Sequence, residues 1–249
     1  MSALAGRRAA ITGGGTGIGL ACARRLAAAG VETVLMGRDL ARLQEAADGI
    51  EAASAIRCDV TDDDSVKAAF DAAGEVDILV NNAGIVSAAA FHRTSMADWQ
   101  RIQAVNVEGL VRCSQAVVGP MVRADYARII NIASIAGLRG GAYVAPYVAS
   151  KHAVVGLTKS LSLEYAHTRL TVNAVCPGYV ETEIVENSIA NIMEKTGRTR
   201  DQALAELTKT NPQGRLIQVE EVAEAVAWLC SPLSGSVSGQ AIAISGGAV

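Results

Sequence analysis

The chain is poor in the residue types that build metal, disulfide and nucleic-acid sites. Of its 249 residues only 4% are aromatic, five are proline and three are histidine. His92, His152 and His167 stand in no metal-ligand spacing and read as structural or solvated. Cys22, Cys58, Cys113, Cys176 and Cys230 form no CxxC pair and are odd in number, which excludes a disulfide framework or a zinc site. They read as small buried hydrophobes in a reducing compartment. Charge is scarce and balanced, 22 basic against 25 acidic residues, and no like-charge block exceeds Asp62-Asp63-Asp64, so nucleic acid is not an expected partner. The N-terminus, MSALAGRRAAITGGG, lacks the apolar segment of a secretory signal. The last 21 residues, from Leu229, are uncharged, but Pro232, four glycines and several serines speak against a membrane span. A cytoplasmic protein that does not contact membrane is expected.

What is present is an Ala/Val/Ile/Gly-rich globular composition, 50% hydrophobic, in a chain long enough to bury a substantial core. Short apolar runs alternate with helical periodicity. Arg8–Thr12 reads as a strand, Ile18–Ala29 as a helix stopped at Gly30, and Val31–Met36 as a second strand. A helix at Leu40–Ala47, a strand at Ala55–Val60 and a helix behind Thr61 and its three aspartates follow. Strands at Val76–Val80 and from Arg128, a long helix from Met96 to Met121, a helix at Tyr147–Tyr165 and a strand at Leu170–Val175 complete the rhythm. Such alternation predicts a single-domain (1–249) α/β fold: a Rossmann-type, doubly wound parallel sheet of about seven strands with helices on both faces. Ligands are then expected at the carboxyl ends of the strands. After Pro177 the rhythm breaks, and residues 179–210 read as a small helical insertion over that end, a substrate lid with Gly197 in its middle. No further strand is expected before Ala241.

Three stretches carry chemistry. Thr12-Gly-Gly-Gly-Thr-Gly-Ile-Gly19 joins the first strand to the first helix, where glycines let the backbone approach a pyrophosphate and the helix N-terminus offers N–H groups. No Lys-Ser/Thr follows, which disfavours a P-loop. Asn81-Asn82-Ala83-Gly84 ends the fourth strand. Tyr147 and Lys151, offset i,i+4, share one face of a helix, so the ammonium can favour the phenolate and make Tyr147 a general acid or base. Ser134, at a strand end thirteen residues earlier, can hold a carbonyl oxygen beside that phenol.

In order and depth, TGGGTGIG, NNAG and YVASK make the chain resemble the short-chain dehydrogenase/reductase family over essentially its whole length. The resemblance implies an NAD(P)-dependent oxidoreductase that moves a hydride between nicotinamide and a secondary alcohol or ketone. It assigns Tyr147 as acid/base, Ser134 as carbonyl orienter, Lys151 as ribose ligand and Asn106 as holder of a relay water. It places the dinucleotide on Gly13, Gly15, Thr16, Gly17, Ile18 and Gly19. Asp59 with Val60 would lie at the adenine, Asn82, Ala83 and Gly84 behind the cofactor, and Pro177, Gly178, Val180 and Thr182 at the nicotinamide.

NADP(H) is favoured over NAD(H), because Gly37 and Arg38 stand where an acidic residue would bond a ribose 2′-OH, and Arg38 can grip a 2′-phosphate. Asp39 can instead cap the next helix or compete for that arginine. Arg139 could meet an anionic substrate group or lie in a solvated loop. Trp99 and Trp228 read as core or subunit packing, and Glu220-Glu221 as the acidic first turn of a helix. The resemblance is greatest to bacterial 3-oxoacyl reductases and 3-hydroxyacyl dehydrogenases. It leaves open polyketide ketoreductases, hydroxybutyrate or polyol dehydrogenases, general carbonyl reductases and a catalytically silent nicotinamide-binding regulator. A homo-oligomer, tetramer or dimer, built on the two long helices is expected.

Overall fold

A computed structural model describes residues 4–209 and 211–249. Met1, Ser2 and Ala3, at the start of the N-terminal stretch, and Thr210, the last residue of the expected insertion, lie outside the described residues. Seven strands, β1 Arg8–Thr12, β2 Glu32–Gly37, β3 Ala53–Arg57, β4 Ile78–Asn81, β5 Ala127–Ile132, β6 Leu170–Pro177 and β7 Ala241–Ile244, form one sheet of order β3-β2-β1-β4-β5-β6-β7. Every pairing is parallel. The chain winds outward from β1 in one direction and, from β4, in the other. A crevice therefore opens between the carboxyl ends of β1 and β4.

The strands are apolar on both faces because each face meets helices. In β5, Ala127 and Ile129 feed one core while Ile130 and Ile132 feed the other. Helices α1 (Gly17–Ala27), α2 (Leu40–Asp48) and α9 (Val219–Cys230) cover one face through Cys22, Leu26, Leu43, Val222 and Val226. Helices α3 (Asp63–Ala73), α5 (Gly109–Met121) and α6 (Ala145–Glu164) cover the other through Phe70, Cys113, Met121 and Val154. Each fully buried Ile or Leu contributes on the order of 1.5–3 kcal/mol relative to exposure. All five cysteines are free and buried, as their scatter implied.

Several boundaries differ from the sequence reading. The third strand starts earlier and stops at Arg57, because Asp59 accepts from the backbone N–H and hydroxyl of Thr61 (3.0 and 2.7 Å) and turns the chain. The fourth strand starts later, at Ile78, since the Asp77 carboxylate takes the Arg8 N–H. The long helix does run from Met96 to Met121, but as α4 (Met96–Gln103) and α5 joined by a π-helical turn at Ala104–Glu108. The insertion is two helices, α7 (Glu183–Thr196) and α8 (Arg200–Thr208), with Gly197 (φ 68°) ending the first. They close on their own small apolar cluster of Val185, Ile189, Ala203 and Leu207. Beyond them Val180 pairs with Ile217 in a single parallel bridge. Glu220 and Glu221 do sit in the first turn of α9. Trp228 is 52% exposed, so it is not a core residue.

Candidate active site

The turn after β1 is held shut by close packing. A Cβ on Gly19 would lie 2.3 Å from the Gly13 carbonyl oxygen, and one on Gly14 would lie 2.9 Å from that of Ile11. Gly13 and Gly17 have φ of 63° and 50°, a region that disfavours side chains. The Asn82 amide donates to the carbonyls of Thr12 and Gly13 (3.0 and 3.1 Å), and the Thr12 hydroxyl accepts from the N–H groups of Asn82 and Ala83, both at 3.0 Å. The NNAG segment thus fixes the glycine turn.

Among the described residues no side chain caps α1 and no acidic residue occupies its first turn, which leaves its N-terminal N–H groups toward the crevice. Such a cradle fits the pyrophosphate of a dinucleotide. Across it, the Thr182 methyl would lie 3.2 Å from a Cβ on Gly17, which brings the end of the Pro177–Thr182 segment onto the turn. Gly15, Thr16 and Ile18 complete that turn. At the crevice's far end, hydrogen bonds from Thr61 first and the charges of Arg38 and Arg57 second hold the Asp59 carboxyl below its ordinary value. Val60 beside it is buried. Asp39 accepts from the Arg42 N–H (3.1 Å) and so caps α2, leaving Arg38 exposed with no ion pair among the described residues.

Ser134 leaves β5 in extended conformation. Its hydroxyl accepts from the Ala136 N–H (3.1 Å) and donates to the Pro177 carbonyl (3.4 Å), which links the ends of β5 and β6. Gly137 then lets α6 come close, since a Cβ there would sit 2.6 Å from the Lys151 carbonyl oxygen. Tyr147 and Lys151 lie one turn apart on α6, as their offset required. Burial pushes the Tyr147 phenol above its ordinary value, and a hydrogen bond with Ser134 opposes this.

Lys151 is 5% exposed, donates to the Ile132 carbonyl at 2.8 Å and sits 5.6 Å from the centroid of the Tyr147 ring. Burial lowers its ammonium to about 8. Charge on Lys151 is therefore costly.

Asn106 lies buried within the π turn. Its side-chain oxygen accepts from the Ile85 N–H (2.8 Å), and its amide donates to the Ile85 carbonyl (2.9 Å) and the Ser150 hydroxyl (3.0 Å). Ser150 in turn donates to the Tyr147 carbonyl at 2.7 Å. The Asn106 side chain clamps the loop after NNAG to α6, and with these partners its amide is committed to protein. A Cβ on Gly84 would lie 3.4 Å from that asparagine oxygen and 3.7 Å from Lys151 Nζ. Ser150 was not singled out from the sequence, where a serine beside a lysine carries no signal.

Arg139 lies half-buried in the loop after Ser134, where its guanidinium donates to the Ala248 carbonyl at 3.0 Å and fastens the segment after β7 to that loop. No group of three metal-ligating side chains occurs among the described residues. A hollow of about 550 Å³, lined by Val122, Ala124, His167, Thr168 and Arg169, lies at the opposite, amino end of the sheet, away from Ser134, Tyr147 and Lys151.

Residues 7–193 match the family model described as short chain dehydrogenase. The chain belongs to that family. This short-chain dehydrogenase is 39% identical to a protein named as ketoacyl reductase 1 of the granaticin polyketide synthase of Streptomyces violaceoruber, over 96% of its own length and 92% of the relative's. It is 35% identical to the D-beta-hydroxybutyrate dehydrogenase of Rhizobium meliloti, over 97% and 98%. Its fold matches a crystal structure of an actinorhodin polyketide ketoreductase variant with NADPH at a TM-score of 0.93 and 36% identity, covering 100% of this chain and 99% of that one. It is an NAD(P)-dependent oxidoreductase of ketones and secondary alcohols. Among the described residues no helix is long and apolar enough to cross a membrane.

Proposed function

We propose that this short-chain dehydrogenase reduces a 3-oxoacyl thioester or related β-keto compound, or runs the reverse oxidation, with NADP(H) preferred. The observation that carries the catalytic reading is the convergence of Ser134, Tyr147 and Lys151 at the adjoining ends of β5 and β6. The nicotinamide dinucleotide supplies or accepts the hydride. The chain's own groups do the rest. Ser134 and Tyr147 donate hydrogen bonds to the substrate oxygen, where negative charge develops in reduction. Tyr147 delivers its proton there, and in oxidation the phenolate takes it back.

Lys151 favours the phenolate and holds the ribose, and Asn106, through Ile85 and Ser150, keeps the loop and α6 in register. Gly13, Gly15, Thr16, Gly17, Ile18 and Gly19 carry the pyrophosphate, Asp59 and Val60 the adenine, Asn82, Ala83 and Gly84 the back of the cofactor, and Pro177, Gly178, Val180 and Thr182 the amide end. The unpaired Arg38 supports the NADP(H) preference, since its planar fork matches a 2′-phosphate. Helices α7 and α8 act as the substrate lid, and subunits associate through the α4–α5 and α6 helices. The thioester reading is supported by the name of the granaticin relative.

The test is the loss of reduced-nicotinamide absorbance with NADPH and NADH in parallel, against short 3-oxoacyl thioesters and simple ketones. Thioester turnover favouring NADPH is expected, with the preference lost in Arg38→Asp. Tyr147→Phe is expected to bind NADPH normally while turnover collapses; full turnover by that variant, or thioesters refused while simple ketones react, refutes the corresponding part.

A further inference from the structure

Ser134 has a bond to give up when it works. At rest its hydroxyl donates to the Pro177 carbonyl at 3.4 Å and accepts from the Ala136 N–H at 3.1 Å. A hydroxyl carries one proton, so donating to a substrate oxygen releases Pro177. The serine is then held by the backbone on either side of it.

On the β5 side that hold is firm, because the Ala133 N–H meets the Val175 carbonyl at 2.8 Å. On the other side the chain makes one tight turn. The Gly137 N–H meets the Ser134 carbonyl at 2.8 Å, and the N–H groups of Leu138 and Arg139 meet that of Ile135 at 2.9 and 3.0 Å. Residues 140–143 beyond it are exposed and begin with two glycines. A turn this short is not stable by itself and depends on what it is fastened to.

One fastening is the close approach of Gly137 to α6. The other is Arg139, whose guanidinium donates to the Ala248 carbonyl at 3.0 Å. Among the described residues no carboxylate pairs with this guanidinium, and its charge strengthens the bond to the carbonyl.

Ala248 is anchored in its turn. Its N–H meets the Ser245 carbonyl at 3.2 Å, and just before that turn the Ile244 carbonyl accepts from the Gly178 N–H at 2.9 Å. Gly246 packs so closely on Asn211 that a Cβ there would strike the side-chain oxygen. Asn211 is buried and fixed, accepting from the Gln213 N–H at 3.0 Å and donating to the Arg215 carbonyl at 2.6 Å. The contacts close a ring that runs from Ser134 to Pro177, from Gly178 to Ile244, from Ala248 to Arg139 and through the turn back to Ser134. When the hydroxyl leaves Pro177, the Arg139 bond keeps the turn on the end of β7.

We propose that Arg139 is a positioning residue for hydride transfer: by holding the Ala248 carbonyl it keeps Ser134 in place while the serine hydroxyl is turned to the substrate oxygen. The proposal rests on the reading of Ser134 as the group that orients the reacting carbonyl. Arg139 acts through the turn and not on the substrate, so its effect belongs to kcat and is indifferent to substrate charge.

Reduction of ethyl acetoacetate, a neutral β-keto ester, by NADPH tests this. Arg139→Met should lower kcat about tenfold, the scale of a small misplacement, with KM within about twofold of wild type and NADPH binding unchanged. The deuterium isotope effect on kcat should rise as hydride transfer slows. Arg139→Lys, which keeps a charged donor, should restore kcat to within about twofold. Arg139→Gln, polar but too short to reach Ala248, gives the same readout as methionine if that variant folds poorly. In a Ser134→Ala background Arg139→Met should cost nothing further. A kcat within about twofold of wild type in both the methionine and glutamine variants overturns the proposal. So do losses that add to that of Ser134→Ala, or a loss confined to the KM of acetoacetate, the mark of a direct contact with an anionic substrate.

Hydrogen exchange in the cofactor-free protein tests the tie without turnover. Arg139→Met should speed exchange of the Gly137 and Leu138 N–H groups about tenfold while β5 is unchanged. Unchanged exchange overturns the tie and leaves the Ser134 reading standing. Faster exchange together with full turnover by Ser134→Ala sustains the tie and counts against the Ser134 reading alone.

Discussion

Replacing Lys151 by methionine should make the protein more stable at neutral pH while ending its activity. The ammonium is buried, and burial lowers it from an ordinary 10.5 to about 8. Holding the proton in the folded rather than the unfolded chain therefore costs roughly 3 kcal/mol below pH 8. Methionine has a similar stem and no charge, but it forfeits the hydrogen bond to the Ile132 carbonyl, an offset of about 1–2 kcal/mol. The net expectation at pH 7 is a gain of about 1–2 kcal/mol, or roughly 2–8 °C in melting temperature for a chain of this size.

The pH dependence fixes the cause. Above pH 8 the folded wild type sheds the proton, while the unfolded chain keeps it until about 10.5. The wild type therefore gains stability across that window and the methionine variant does not. Urea denaturation of both cofactor-free proteins from pH 7 to 10.5 should show the variant's advantage shrinking and then reversing. A difference that stays flat over that range, or a variant that is less stable at pH 7, refutes the argument that the charge on Lys151 is held at the expense of the fold.

Two further substitutions test the framework. Gly19→Ala puts a Cβ 2.3 Å from the Gly13 carbonyl oxygen and 2.6 Å from the Asn82 amide, so the turn must move. A loss of about 2 kcal/mol or more in urea denaturation is expected, with NADPH fluorescence enhancement abolished. Gly156→Ala, on an exposed position of α6 where a new Cβ meets nothing within 4 Å, should gain about 0.5–1 kcal/mol. A loss there would mean that this face of α6 is covered in the working protein.

Features governed by neighbours in sequence are legible from the sequence alone. The apolar runs, the glycine turn and the Tyr147–Lys151 offset obey periodicities of two and 3.6, so strands, helices and the proton-transfer pair fall where expected. Features governed by distant partners are not legible in this way. The π turn around Asn106 depends on that side chain reaching Ile85 and Ser150, 21 and 44 residues away. Nothing in AVNVEG marks such a turn, because its partners lie as far as 44 residues away. The left-handed backbone of Tyr143 (φ 66°) is hidden for the same reason: nothing local selects its conformation, and the hydrogen bond to Ala89 does.

The small apolar cluster between α7 and α8 has a consequence for how such a chain can diverge. Because Val185, Ile189, Ala203 and Leu207 satisfy one another, α7 and α8 take little from the two cores on either face of the sheet. Their outward residues can be exchanged without disturbing β5 and α6, which position Ser134 and Tyr147. With α7 and α8 acting as the proposed lid, selection can then act on what enters the cleft separately from what happens there, and one hydride-transfer apparatus can serve a succession of unrelated substrates.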